Sequence, residues 1–195
     1  MSGPSCDLLV VGLGNPGADY VGTRHNVGAE TVELLAERSG ARLRADRKVS
    51  AATATVRLAG HPVVLAVPTT WMNDSGLAVG ALVRRCGVAP GDVLIVHDEL
   101  DLDPGRMKLK SGGGHAGHNG LRSIHSHLRT DAYLRLRLGV GKPPGGPGRG
   151  ADWVLSRVPA AQRTVLDEMV ANAADVVESV VADGFDAAMQ RVNAR

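Results

Sequence analysis

Cysteine is nearly absent from this chain: Cys6 and Cys86 are the only two in 195 residues, far apart in sequence and in no Cys-x-x-Cys spacing. That argues against a disulfide framework, leaves nothing resembling a zinc knuckle, and fits free thiols in the cytosol. Aromatic residues make up only 3%, so a surface that stacks many bases on Phe, Tyr or Trp is poorly supplied. No stretch approaches the roughly 20 apolar residues of a membrane span. The opening MSGPSCDLLVVGLGNPG carries neither a basic leader region nor a small-residue cleavage site. A cytoplasmic protein, neither secreted nor membrane-spanning, is therefore expected. There is no Walker motif, no G-x-S-x-G elbow and no H-E-x-x-H pair.

What the chain does have is 44% apolar residues and enough length to bury roughly 70% of its unfolded surface without a staple, which makes one domain the expectation. Net charge is only +2, but it is unevenly spread: residues 104–149 hold nine Lys or Arg against Asp131 alone, while both flanks are acidic on balance. A concentrated positive field suits a phosphate backbone, whose affinity comes largely from counterion release. The plain alternative is a solvated basic face.

Along the chain, DLLVVGL (7–13) is an apolar run stopped by Gly and Pro, the pattern of a buried strand. GNPGADYVGTRHN (14–26) has no apolar period and reads as a surface loop. A helix from Val27 is expected to end at Gly40. AATATVRL (51–58) and PVVLAVP (62–68) read as a hairpin. Asp74 or Ser75 is placed to cap a helix that ends at Gly87. DVLIVHDEL (92–100) reads as a central strand, RMKLK (106–110) as strand-like, and residues 121–129 as helical. In YLRLRLGVG (133–141), Arg135 and Arg137 alternate with leucines and would share one strand face. KPPGGPGRG (142–150) reads as a mobile loop, a candidate lid, and residues 160–183 as a long amphipathic helix. Strands alternating with helices, plus one hairpin, give a single α/β domain over residues 1–195, with a mixed, mostly parallel sheet flanked by helices.

Gly12, Gly14 and Gly17 satisfy G-x-G-x-x-G after a strand, but about ten irregular residues precede the helix, whereas a dinucleotide site runs straight into one. Hydrolysis of an ester or amide needs a nucleophile, a base and oxyanion donors. Cys86 lies in a helical pattern and reads as packed, so water is the better nucleophile. His25, in a polar loop, is a candidate base, since imidazole titrates near neutrality. Asp98 closes an apolar strand at the end where α/β sheets place ligand sites; the alternatives for it are a strand-end cap or an ion pair. His115, His118, His125 and His127 crowd one stretch, but Gly-rich surroundings give a metal no rigid support, so no metal site is expected. His125 and His127 read as surface helix residues. Asn15, Asn73 and Asn119 sit in turn contexts and could supply neutral donors.

Taken together, VGLGNPGADYVGTRHNVG (11–28), PTTWMNDSG (68–76) and HDELDLDPGRMKLKSGGGHAGHNGLRSI (97–124) resemble the bacterial peptidyl-tRNA hydrolase family, in order over roughly residues 8–141. The resemblance implies hydrolysis of the ester between a peptide, or an N-blocked amino acid, and tRNA. By matching position it implies His25 as catalytic base and Asp98 as its orienting carboxylate. It also implies Asn15, Tyr20, Met72, Asn73, His118 and Asn119 as substrate-cleft residues. Lys108, Lys110 and Arg137 fall on tRNA phosphate contacts, with Arg135 a weaker addition from alternation. No cofactor, no metal, no membrane and no obligate protein partner are implied, and a monomer is expected. The competing expectation is a noncatalytic RNA-binding relative of the same fold.

Overall fold

The computed structural model describes residues 5–195; residues 1–4, on which part of the leader reading falls, lie outside the described residues. The elements run β1 (Leu8–Gly12), α1 (Val27–Arg38), β2 (Arg44–Asp46), β3 (Ala51–Leu58), β4 (His61–Pro68), α2 (Ser75–Cys86), β5 (Val93–Glu99), β6 (Met107–Ser111), α3 (Asn119–Leu128), β7 (Leu134–Gly139), α4 (Gly150–Leu155), α5 (Ala160–Asp183) and α6 (Phe185–Asn193). One seven-stranded sheet has the order β2-β3-β4-β1-β5-β7-β6. Its middle strands β4, β1, β5 and β7 are mutually parallel, while β2, β3 and β6 pair antiparallel with their neighbours. No helix among the described residues is long and apolar enough to cross a membrane.

Because strand side chains alternate, the sheet feeds two apolar layers. Val10, Leu65, Leu94 and Leu136 join α1 and α5 on one face. Leu9, Val11 and Ile95 join α2 and α3 on the other. The chain leaves β1 for β4 on one side and returns to β5 on the other, so the strand order reverses at β1, and the carboxyl ends of β1 and β5 border the crevice such a reversal creates.

Two glycines set how closely α1 lies on the sheet. A Cβ on Gly28 would stand 2.2 Å from the Val96 carbonyl oxygen, and one on Gly12 would stand 2.2 Å from the Gly28 carbonyl oxygen. Gly12 thus serves helix-on-strand packing. The residues before α1 are consequently held against the end of β5.

Several expectations need correcting. The stretch 14–26 is not simply a surface loop: it contains two 3-10 turns, Ala18–Tyr20 and Arg24–Asn26, and Thr23 to Asn26 are buried. The anchor is Arg24, whose guanidinium lies 3.5 Å from the Trp153 ring centre and donates to Ser156 Oγ and Gln162 Oε1, each at 2.7 Å. Neither Asp74 nor Ser75 caps α2 by side chain; Ser75 Oγ instead donates back to the Met72 carbonyl at 2.7 Å. The hairpin turns through Ala59 and Gly60, both at positive φ, so His61 already belongs to β4. α1 ends at Arg38, with Gly40 just beyond it at φ +67°. Strand β2 and helices α4 and α6 were not read in the sequence; β2 is only three residues long, and α4 begins inside the Gly-Pro stretch. Far apart in sequence, Cys6 and Cys86 both pack on the α2–α3 layer as free thiols, and burial together with the neighbouring Cys86 pushes the Cys6 thiol up to about 12.

Gly28→Ala forces a methyl into the Val96 carbonyl and should destabilise the fold by about 2–3 kcal/mol, the scale of overpacking a tight interior. Urea denaturation checks this, and an unchanged midpoint would contradict the close approach.

Candidate active site

The site assembles where the 3-10 turn before α1 meets the end of β5. Asp98 points off the last turn of β5 and is only 3% exposed, a costly place for a carboxylate unless donors surround it. Two imidazoles supply them. His25 Nδ1 lies 2.9 Å from both Asp98 oxygens, and His118 Nε2 lies 2.9 Å from Oδ1. Since the carboxylate can only accept, both ring nitrogens are donors. His118 is fixed further, because it precedes α3 as its N-cap and its Nδ1 accepts from the Leu121 N–H at 3.3 Å. In His25, the proton on Nδ1 leaves Nε2 with its lone pair and with no hydrogen-bond partner among the described residues.

A cleft of about 700 Å³ is lined by His25, Asp98, His118 and Asn119 together with Lys142 and Gly146. The Gly-Pro stretch 142–150 therefore borders the site. Lys142 is ion-paired at 2.8 Å with Asp101, which also lines the cleft. Asn15 follows β1 and borders a separate hollow of about 390 Å³. Its backbone is gripped by Asn26, whose Oδ1 accepts from the Asn15 N–H at 2.9 Å and whose Nδ2 donates to the Asn15 carbonyl at 3.0 Å. The Met72 N–H donates to Asn15 Oδ1 at 2.7 Å, which leaves Nδ2 as the free end of that amide. Met72 is buried; a Cβ on Gly120 would lie 2.6 Å from its sulfur and 3.0 Å from His118 Cε1, so Met72 lies against the His118 end of α3. Asn73 is exposed and lines neither hollow, and Tyr20 stacks edge-on against Trp71 at 5.6 Å.

His25, Asp98 and His118 offer ligand atoms within 4.8 Å of one another. A cation there would have to displace the N–H donors that already satisfy Asp98, so the contacts are those of a hydrogen-bonded triad.

Lys108, Lys110, Arg135 and Arg137 lie on the paired strands β6 and β7 at the edge of the sheet. The register sets Lys108 opposite Arg137 and Lys110 opposite Arg135, a facing of like charges that is unfavourable unless relieved. Arg137 pairs with Glu99 at 3.0 Å, and Lys108 donates to the Asn193 carbonyl at 3.0 Å. Arg135 is 3% exposed and turns inward to the carbonyls of Gly113 and Gly114, which removes it from the phosphate-facing set. It also donates to His125, which is half-buried between the His115 and Tyr133 rings and is not the surface residue expected. Sequence reasoning missed the grip of Asn26 on Asn15, the bond from His118 to Asp98, and His97 behind them.

A family model described as peptidyl-tRNA hydrolase matches residues 9–195. The chain belongs to the peptidyl-tRNA hydrolase family. It is 50% identical to a peptidyl-tRNA hydrolase of Cutibacterium acnes, over 95% of this chain and 97% of that one. It is 46% identical to one of Mycobacterium tuberculosis, over 96% and 97%. The crystal structure of the Acinetobacter baumannii peptidyl-tRNA hydrolase superposes with a TM-score of 0.90 at 39% identity, covering 98% of this chain and 97% of that one.

Burial by itself lowers the His25 pKa, but the Asp98 charge and hydrogen bond outweigh it and hold the imidazole above its ordinary value. Asp98, despite burial, is held well below the carboxylate range by His25 and His118. The signs differ for stability. The raised His25 contributes stability that is full below its unfolded pKa of about 6.5 and fades as pH climbs through the folded value. The depressed Asp98 contributes stability present above about pH 4 and lost on acidification. An NMR titration should therefore place His25 above about 6.5 and lower in Asp98→Asn. A His25 that titrates identically in both would contradict this coupling.

Proposed function

We propose that this chain cleaves the ester joining a peptide, or an N-blocked amino acid, to the ribose of tRNA, using water activated by His25. The observation that carries the reading is the His25 imidazole, held by Asp98 through Nδ1 with Nε2 open on a cleft, in a chain of this family. Asp98 keeps the proton on Nδ1, so Nε2 can take one from a water molecule as it attacks the ester carbonyl. Asn15, its Oδ1 occupied by Met72 N–H, has Nδ2 left to donate to the developing oxyanion of a substrate that reaches from the His25 cleft to the neighbouring Asn15 hollow. Collapse of the tetrahedral intermediate breaks the bond to the ribose oxygen, and the proton on His25 Nε2 passes to it. The neighbouring ribose hydroxyl eases that departure.

In this reading Asn73 joins Asn15 in fixing the peptide carbonyl, Asn119 holds the water or the substrate backbone, and Met72, Tyr20 and His118 form the walls of the peptide site. The stretch 142–150, which supplies Lys142, Pro143 and Gly146 to the cleft lining, acts as a lid over bound substrate. Lys108, Lys110 and Arg137 hold tRNA phosphates, which position the ester without reading sequence. The physiological setting proposed is tRNA recycling in the cytoplasm by a monomer.

On N-acetyl-aminoacyl-tRNA, His25→Ala should release the blocked amino acid about 100-fold more slowly or worse than wild type, the usual scale for a lost general base. Equal, negligible release from both proteins would favour the noncatalytic RNA-binding relative. Replacing Lys108 and Lys110 together by Ala should weaken tRNA binding and flatten its log–log salt slope by roughly 2, while a short nucleotide ester is still cleaved. A salt slope equal to wild type would remove those lysines from the interface.

A further inference from the structure

We propose that His97, one residue before the catalytic carboxylate, is a positioning residue: its Nδ1–H anchors the Asp98 carbonyl and so holds the carboxylate that aims His25. This rests on the esterase reading above, since what is positioned is the base of that reaction.

The need for an anchor follows from where the strands end. Along β5, carbonyls of alternate residues point to the same side, and the Val96 carbonyl points toward β1, accepting from the Leu13 N–H at 3.0 Å. Pairing between β1 and β5 stops at Gly12 opposite Val96. The Asp98 carbonyl, two residues on, faces the same way with no strand beside it. His97 fills the gap, with Nδ1 at 2.7 Å from the Asp98 carbonyl oxygen. Pairing with β7 runs on through Asp98 and Glu99, so β5 is held on that side, and an unpaired carbonyl on the β1 side would leave the Asp98 peptide anchored on one side only.

His97 touches the triad a second way. Its ring is 1% exposed and meets the His118 ring edge-on, centroids 5.1 Å apart at 74°. His118 in turn donates to Asp98 Oδ1. The carboxylate is thereby braced from its own main chain and from its flank, both through one buried ring. The other nitrogen, Nε2, is buried with no hydrogen-bond partner among the described residues. An apolar side chain of similar size would fill the space without that orphaned acceptor; what imidazole adds is the Nδ1 donor.

The groups facing this ring are Asp98 on its own strand, His118 ahead of α3 and Arg135 on β7, with His25 beyond the carboxylate. Burial, reinforced by His118 and Arg135, pushes the His97 pKa down to about 3, so the ring stays neutral and the anchor does not titrate with the base.

The test uses the whole chain, N-acetyl-aminoacyl-tRNA as substrate, and three substitutions. His97→Asn keeps an N–H donor at the Nδ1 position, His97→Gln moves the amide outward, and His97→Leu removes it. Melting temperature, kcat, KM and the acidic limb of kcat/KM are read for each. We expect His97→Leu and His97→Gln to lose about 10-fold in kcat with KM within about twofold, the signature of an interaction realised in the transition state. Their acidic limb should also move to lower pH, as a less well-held Asp98 raises His25 less. His97→Asn should keep the wild-type limb and kcat within about threefold. Wild-type kcat and limb in all three would overturn the inference. So would equal losses in all three that track melting temperature with the limb unmoved, which is packing alone. Should His97→Leu not fold, the contrast between Asn and Gln decides. A wild-type chain inert on this substrate would instead sink the esterase reading, a result distinct from either.

Discussion

A carboxylate that is 3% exposed and takes N–H bonds from two imidazoles is the constraint around which the rest of this molecule is arranged. Burying a charge without donors is prohibitive, and removing one partner of such a set leaves the other uncompensated. His25 and His118 approach from different elements, one ahead of α1 and one ahead of α3, so Asp98 ties together parts of the chain on both faces of the sheet. Asp98 fixes the proton on each ring, and the two rings differ in what their second nitrogen meets. His118 has the Leu121 N–H, and His25 has the open cleft. The two rings therefore play unequal parts at one carboxylate.

The scaffold supplies the precision this needs. Gly12 and Gly28 allow α1 to sit closer to β1 and β5 than a side chain would permit, and Arg24 locks the adjoining turn onto Trp153 and the start of α5. The imidazole thus comes from a loop in sequence terms but from a rigid, buried turn in space. Asn15 is treated in the same way, with Asn26 on its backbone and Met72 on its side chain. Fixed dipoles of this kind are useful to catalysis because they need not reorganise as charge develops.

The positive charge of residues 104–149 is a looser property. Facing Lys and Arg across β6 and β7 would repel, and the fold relieves this by turning Arg135 inward, pairing Arg137 with Glu99 and tying Lys108 to the end of α6. Of the four, Lys110 is left exposed with no carboxylate within ion-pair distance among the described residues. The positive field of this edge is therefore weaker and more localised than its count of basic residues suggests.

The sequence alone determined the α/β class, the strands β1, β3, β4, β5, β6 and β7, the helices α1, α2, α3 and α5 and the family, because apolar period and ordered motifs are local properties of the chain. His25 and Asp98 were likewise legible, one from a polar loop that invites function and the other from the end of an apolar strand. Tertiary structure alone decided that Arg135 is internal, that loop 14–26 is half-buried, and that His97, Asn26 and His118 brace the groups beside them. Each of these depends on which nitrogen or carbonyl lies within about 3 Å of another across the sheet, a hydrogen-bond distance that no spacing along the chain encodes.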